Sequence, residues 1–107
     1  MTQWKQLTIY VDESAHWQHQ PVYTAVIELA RRHGLAGATA IRAIEGFRKN
    51  SSIHTANLLG ISSDLPVVVT LIDSEAAIAQ FLPTVQQMVG TGLITVQTVD
   101  ILHSTPL

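Results

Sequence analysis

Gly37-Ala-Thr-Ala-Ile-Arg-Ala-Ile-Glu-Gly-Phe47 runs without a break into Arg48-Lys-Asn-Ser-Ser-Ile-His-Thr55. The first half reads as a long strand over residues 36–47. Thr39, Ile41, Ala43 and Glu45 fall on one face and Ala40, Arg42 and Ile44 on the other. Neither face is cleanly apolar or polar, so the two sides are expected to meet a helix on one hand and a site or a second subunit on the other. The second half opens a polar loop that lasts to about residue 64. Arg42, Glu45, Arg48, Lys49, Asn50, Ser51, Ser52 and His54 fall within thirteen positions of a chain that is only 13% charged. A connection this long and this dense in donors is where binding chemistry concentrates.

Working outward, Leu7, Ile9 and Val11 alternate with Thr8 and Tyr10, which gives a strand over about residues 5–11. The polar run from Asp12 to Gln20 is a connection, and Pro21 suits the first position of a helix extending to His33. Val22, Val26, Leu29, Ala30 and His33 share one helical face, Glu28 and Arg32 form an i,i+4 pair, and Gly34 closes the element. Beyond the loop, Leu65-Pro-Val-Val-Val-Thr-Leu-Ile72 is the strongest strand, with Pro66 at its start. Ser74 is placed to cap a second helix whose stripe is Ile78, Phe81, Leu82, Val85 and Val89, with a kink or restart expected at Pro83. Gly90-Thr91-Gly92 stops that helix, and residues 93–102 make a last, β-branched strand. The order strand, helix, strand, strand, helix, strand predicts a ferredoxin-like α+β sandwich, with a four-stranded antiparallel sheet and two helices on one face.

The chain of 107 residues reads as one domain, 1–107, able to bury roughly two-thirds of its unfolded surface. It has no cysteine, which excludes disulfides, thiolate metal sites and cysteine nucleophiles. A formal charge of −2 gives no general attraction to nucleic acid or anionic lipid. No apolar run suits a signal peptide or a membrane span, so a cytoplasmic protein without membrane insertion is the expectation. The chain is 47% apolar but 13% charged, where about 25% charged is ordinary. The excess of apolar residues points to a buried subunit interface, and the bare sheet face of the expected fold offers one.

Three groups of residues carry candidate chemistry. Arg42, Arg48 and Lys49, near Ser51 and Ser52, are suited to phosphate oxygens, and equally to a solvated loop tip. Gly90 and Gly92 would let backbone N–H groups approach a phosphate closely, although two glycines after a helix also make a plain C-cap. His16 and His19 are three apart, a spacing that brings two imidazoles to one metal if the segment is a helical turn. His33 or His54 could join them. His54 beside Glu45 has the residue types for acid–base work, but no nucleophile and orienting group accompany it, and no catalytic residue is assigned.

The runs Gly37 to Phe47, Ser51-Ser-Ile-His-Thr-Ala56, Asp64-Leu-Pro-Val-Val-Val69, Phe81-Leu-Pro83 and Met88-Val-Gly90 resemble the PII-like proteins catalogued as a domain of unknown function, number one hundred and ninety. The resemblance spans about residues 7–102. It implies a homotrimer related to PII signalling proteins and CutA-type trimers. It also implies a non-enzymatic regulator that binds a small anionic effector, an adenine nucleotide, in clefts between subunits and engages a partner protein through the 48–64 loop. Carried over, the binding positions are Arg42, Glu45, Gly46, Arg48, Lys49, Ser51, Ser52 and His54, with Gly90, Thr91 and Gly92. Leu93 stands where true PII proteins have a lysine after the second glycine, and their tyrosine-bearing loop is absent. Neither the classical ATP and 2-oxoglutarate binding of PII proteins nor their uridylylation therefore follows from the resemblance. A CutA-like metal-binding trimer using His16 and His19 is the alternative.

Overall fold

A computed structural model describes residues 2–47, 54–55 and 64–105. In chain order the elements are β1 (Thr2–Asp12), β2 (His16–Trp17), β3 (Gln20–Pro21), α1 (Val22–Arg32), β4 (Gly37–Arg42), β5 (Glu45–Gly46), β6 (His54–Thr55), β7 (Pro66–Asp73), α2 (Glu75–Val89) and β8 (Leu93–Ile101). The four long strands form one sheet in the order β4-β7-β1-β8, antiparallel throughout. This is the expected ferredoxin-like α+β sandwich, with both helices on one face.

Alternation decides which side of each strand is buried. Leu7, Ile9 and Val11 of β1 and Val67, Val69 and Leu71 of β7 face the helices. They meet Val22, Ala25, Val26 and Ala30 of α1 and Ile78, Phe81, Val85, Met88 and Val89 of α2 in one core. Each fully buried Val, Leu, Ile, Phe or Met side chain there contributes about 1.5–3 kcal/mol. Among the described residues no helix covers the opposite face of the sheet. Across it, Thr39, Thr70, Thr8 and Thr95 lie in register on the four strands.

Several boundaries differ from the sequence reading, each for a tertiary reason. The first strand spans Thr2–Asp12 rather than 5–11, because β8 supplies ladder partners from Thr2↔Ile101 to Tyr10↔Leu93. The connection after it is not plain loop. Trp17 pairs with Gln20 around Gln18 and His19, whose φ values of 49° and 71° make a two-residue hairpin turn of the primed kind. Pro21 ends β3 and is the N-cap of α1, not its first helical residue, and His33 is the C-cap. Gly34 follows with the expected positive φ, 72°. Glu28 and Arg32 share a surface depression with Arg31 but form no ion pair.

The strand expected over 36–47 is divided. β4 ends at Arg42, opposite Val67, and Ala43 N–H donates to Pro66 O at 2.8 Å. Pro66 has no N–H to return, so the ladder stops there. Glu45–Gly46 then pairs with His54–Thr55 in a separate two-stranded sheet. β7 spans Pro66–Asp73 rather than 65–72, and β8 ends at Ile101 rather than at residue 102. Ser74 caps α2 as expected, its Oγ accepting from Ala77 N–H at 3.2 Å. Pro83 causes no restart, and α2 is one helix through it. Pro83 and Ala79 both lie on the exposed side, where water can take the carbonyl that loses its partner.

Candidate functional site

One end of the sheet gathers the candidate residues. β1 and β4 finish there, while β7 and β8 begin there. At the β4 edge, Arg42 is held in the ladder by its backbone while its side chain is 61% exposed and forms an ion pair with Glu13. Glu13 belongs to the connection after β1, and its N–H donates to Leu65 O at 2.9 Å. Its neighbour Ser14 donates to the Asp64 carboxylate twice, from N–H at 2.8 Å and from Oγ at 2.6 Å. Two consecutive residues thus link the end of β4, through the Arg42 side chain, to the chain that enters β7 at residues 64 and 65. Glu13, Ser14 and Asp64 were missed by the sequence reading. Their signal was the polar Asp12-Glu13-Ser14 run directly after β1, which the strand order brings beside residues 64 and 65.

At the opposite edge, Gly90 closes α2 with φ 58° and donates to Gln86 O at 3.3 Å. Gly92 has a stricter reason to be glycine. A Cβ there would lie 2.5 Å from Val89 Cγ1 and 3.0 Å from Tyr10 O. The two glycines therefore cap α2 and bring the chain tightly against the end of β1, with Thr91 exposed between them. Arg42 and Gly92 share an end of the sheet but are separated by β7 and β1, three inter-strand steps of roughly 14 Å in all. Within one chain they do not converge on one phosphate.

Glu45 is exposed, and Gly46 packs near Pro66, a Cβ at Gly46 lying 3.3 Å from Pro66 Cγ. The backbone register puts His54 opposite Gly46 and Thr55 opposite Glu45. Arg48, Lys49, Ser51 and Ser52 lie outside the described residues. Around this corner Ile41, Ile44 and Phe47 are 60%, 78% and 67% exposed.

The histidines do not form the helical turn that the metal alternative needs. His16 lies in β2 with Nδ1 2.5 Å from Ser14 O, and His19 occupies a positive-φ turn position. His33 is beyond the other end of α1, with Nδ1 2.9 Å from Leu29 O and its ring 5.1 Å from that of Phe81. An eleven-residue helix, about 16 Å long, separates it from the hairpin. Among the described residues no group of three or more histidine or acidic side chains is arranged to hold a metal ion. No helix among them is long and apolar enough to cross a membrane.

The chain is similar in sequence to the UPF0166 protein of Aquifex aeolicus, 37% identical over 99 residues that cover 92% of this chain and 93% of that protein. In fold it is similar to CPII of Thiomonas intermedia K12, a nitrogen regulatory PII-like protein solved with ADP, AMP and bicarbonate. That match has a TM-score of 0.69 at 16% identity and covers 94% of this chain and 89% of that one. The divalent ion tolerance protein CutA1 of Ehrlichia chaffeensis matches with a TM-score of 0.58 at 11% identity, covering 95% and 84% of the two chains. The family model DUF190, described as Uncharacterized ACR, matches residues 4–101. With a ferredoxin-like sheet of order β4-β7-β1-β8 and a match over nearly its whole length, the chain belongs to the DUF190 family and has the fold of the PII-like proteins.

Proposed function

We propose that this protein is a cytoplasmic, non-enzymatic PII-like regulator, a homotrimer that binds an adenine nucleotide in clefts between subunits and engages a partner protein through the 48–64 loop. The observation that carries the reading is the division of the binding groups between the two edges of one sheet end. Arg42 stands at the β4 edge and the Gly90–Gly92 backbone at the β8 edge, so the pair is completed only by juxtaposing edges of different subunits. A fold shared with CPII, which was solved with ADP and AMP, supports a nucleotide as the effector. Arg42 is the phosphate anchor in this reading, and Arg48, Lys49, Ser51 and Ser52 add donors from the loop. The metal-binding alternative has no geometric support from His16 and His19.

Calorimetry with ATP, ADP, AMP and cyclic nucleotides tests the proposal. Binding of at least one is expected. Arg42→Ala should weaken it by about 1.5–3 kcal/mol, the scale of a charge-assisted hydrogen bond, and Lys49→Ala by less. No heat from any of the nucleotides would leave a scaffold that meets its partner without an effector.

A further inference from the structure

The Glu13–Arg42 pair is unequal in how its two members are held. Arg42 is 61% exposed at the end of an edge strand, whereas the Glu13 side chain is only 21% exposed. Glu13 is fixed on both sides along the chain. Its own N–H is bound to Leu65 O, and the next residue is bound twice by the Asp64 carboxylate. The carboxylate thus stands on the more tightly held backbone and is the less exposed partner, and the guanidinium is the freer one.

From this asymmetry we infer that Glu13 is a built-in competitor for the anion held by Arg42, and that it selects polyphosphates over small monoanions. The inference rests on the reading of Arg42 as the phosphate anchor. With Glu13 in place, the guanidinium is already matched by one negative charge, so a monocarboxylate or bicarbonate only exchanges one carboxylate-like partner for another. It must also stay beside a like charge that is largely screened from water by its surroundings. The contact uses Nη2 of Arg42 and Oε2 of Glu13, while a guanidinium offers five N–H donors in a planar fork. A chain of phosphates carries enough charge to engage the remaining donors and draw the exposed arginine head away from Glu13.

The test is calorimetry at fixed ionic strength on the full chain, with inorganic tripolyphosphate, ATP and acetate as probes. Wild type, Glu13→Gln, Arg42→Ala and the double variant are compared, with thermal melts to confirm that each is folded. Because the N–H of residue 13 is kept, Glu13→Gln preserves the bond to Leu65, and Glu13→Ala provides a second route if the amide makes a new contact. Removing the half-exposed pair together with a neighbouring like charge should tighten polyphosphate binding on the order of fivefold. Acetate should bind measurably only without the carboxylate. The gain should vanish in the Arg42→Ala background, which marks it as acting through that residue.

Equal affinities in wild type and Glu13→Gln would overturn the inference while leaving nucleotide binding intact. A gain that persists without Arg42 would also overturn it, as an effect of net charge alone. Binding of tripolyphosphate with this dependence, but with ATP no tighter, would support the competitor and show that the adenosine of ATP is not recognised. If no protein in the set binds either polyphosphate, the inference is overturned, and the proposed function is decided by the ADP, AMP and cyclic nucleotide titrations.

Discussion

At residue scale, Gly92 is, among the glycines of the described residues, the one with least room for a side chain. Its α-hydrogen points at Val89 and at the carbonyl of Tyr10, and the 2.5 Å separation that a Cβ would have from Val89 Cγ1 is shorter than any van der Waals contact. Gly92→Ala must displace a buried valine or move the start of β8 away from β1, at a cost of about 1–3 kcal/mol. Gly90→Ala meets no atom within 4 Å, but a φ of 58° with a ψ of −102° lies outside the left-handed helical well and strains any L side chain, at a cost of about 1–3 kcal/mol. Thermal or denaturant unfolding of the two variants checks both losses. A Gly92→Ala protein as stable as wild type would mean that the turn relaxes freely, and the tight apposition of this loop to β1 would lose its significance.

Among elements, the β2–β3 hairpin is built from residues ill suited to it. Gln18 and His19 both take positive φ, in a turn type whose two central positions favour Asn or Asp followed by Gly. Replacing them with the residues such a turn prefers, Gln18→Asn with His19→Gly, is expected to stabilise the protein by about 0.5–1 kcal/mol. An increase in the unfolding midpoint with an unchanged denaturant slope is the expected reading. The same variant removes one of the two histidines of the metal alternative, so zinc titration before and after the change reports on that alternative independently. The division of the 36–47 strand is also an element-scale effect. A single proline on the neighbouring strand ends the ladder, and the chain turns out at Ala43 to build β5 and β6.

For the whole molecule, the uncovered sheet face is the largest feature that a lone chain leaves unexplained. Thr8 is only 9% exposed there even without a partner, because its neighbours in the row flank it on both sides. Packing this face against other subunits is part of the proposed trimer. Thr70→Arg would set a charge in the middle of the threonine row, where burial without a partner is costly. Sedimentation velocity should show the wild type as a trimer at micromolar concentration and the variant as a smaller species with its fold retained by circular dichroism. An unchanged mass for Thr70→Arg would exclude this face from the interface.

The sequence by itself determined the order of the six long elements. The signals that set them are local: alternation in Leu7, Ile9 and Val11, the helical stripe from Ile78 to Val89, the Ser74 cap and the positive-φ glycine after α1. Local signals persist in any arrangement of the chain, which is why they can be read without coordinates. Arg42 could be named as a candidate anchor for the same reason, since its charge is a property of the residue. Its partner could not. Glu13 and Arg42 meet because β7 pairs with both β1 and β4, and Ser14 reaches Asp64 across a sequence separation of 50 for the same reason. The stopping of β4 by Pro66 and the conversion of the His16–His19 spacing from a helical turn to a hairpin were likewise decided in three dimensions. In each case the deciding hydrogen bond or turn depends on which strand lies alongside, and that neighbour is chosen by burial of the common core.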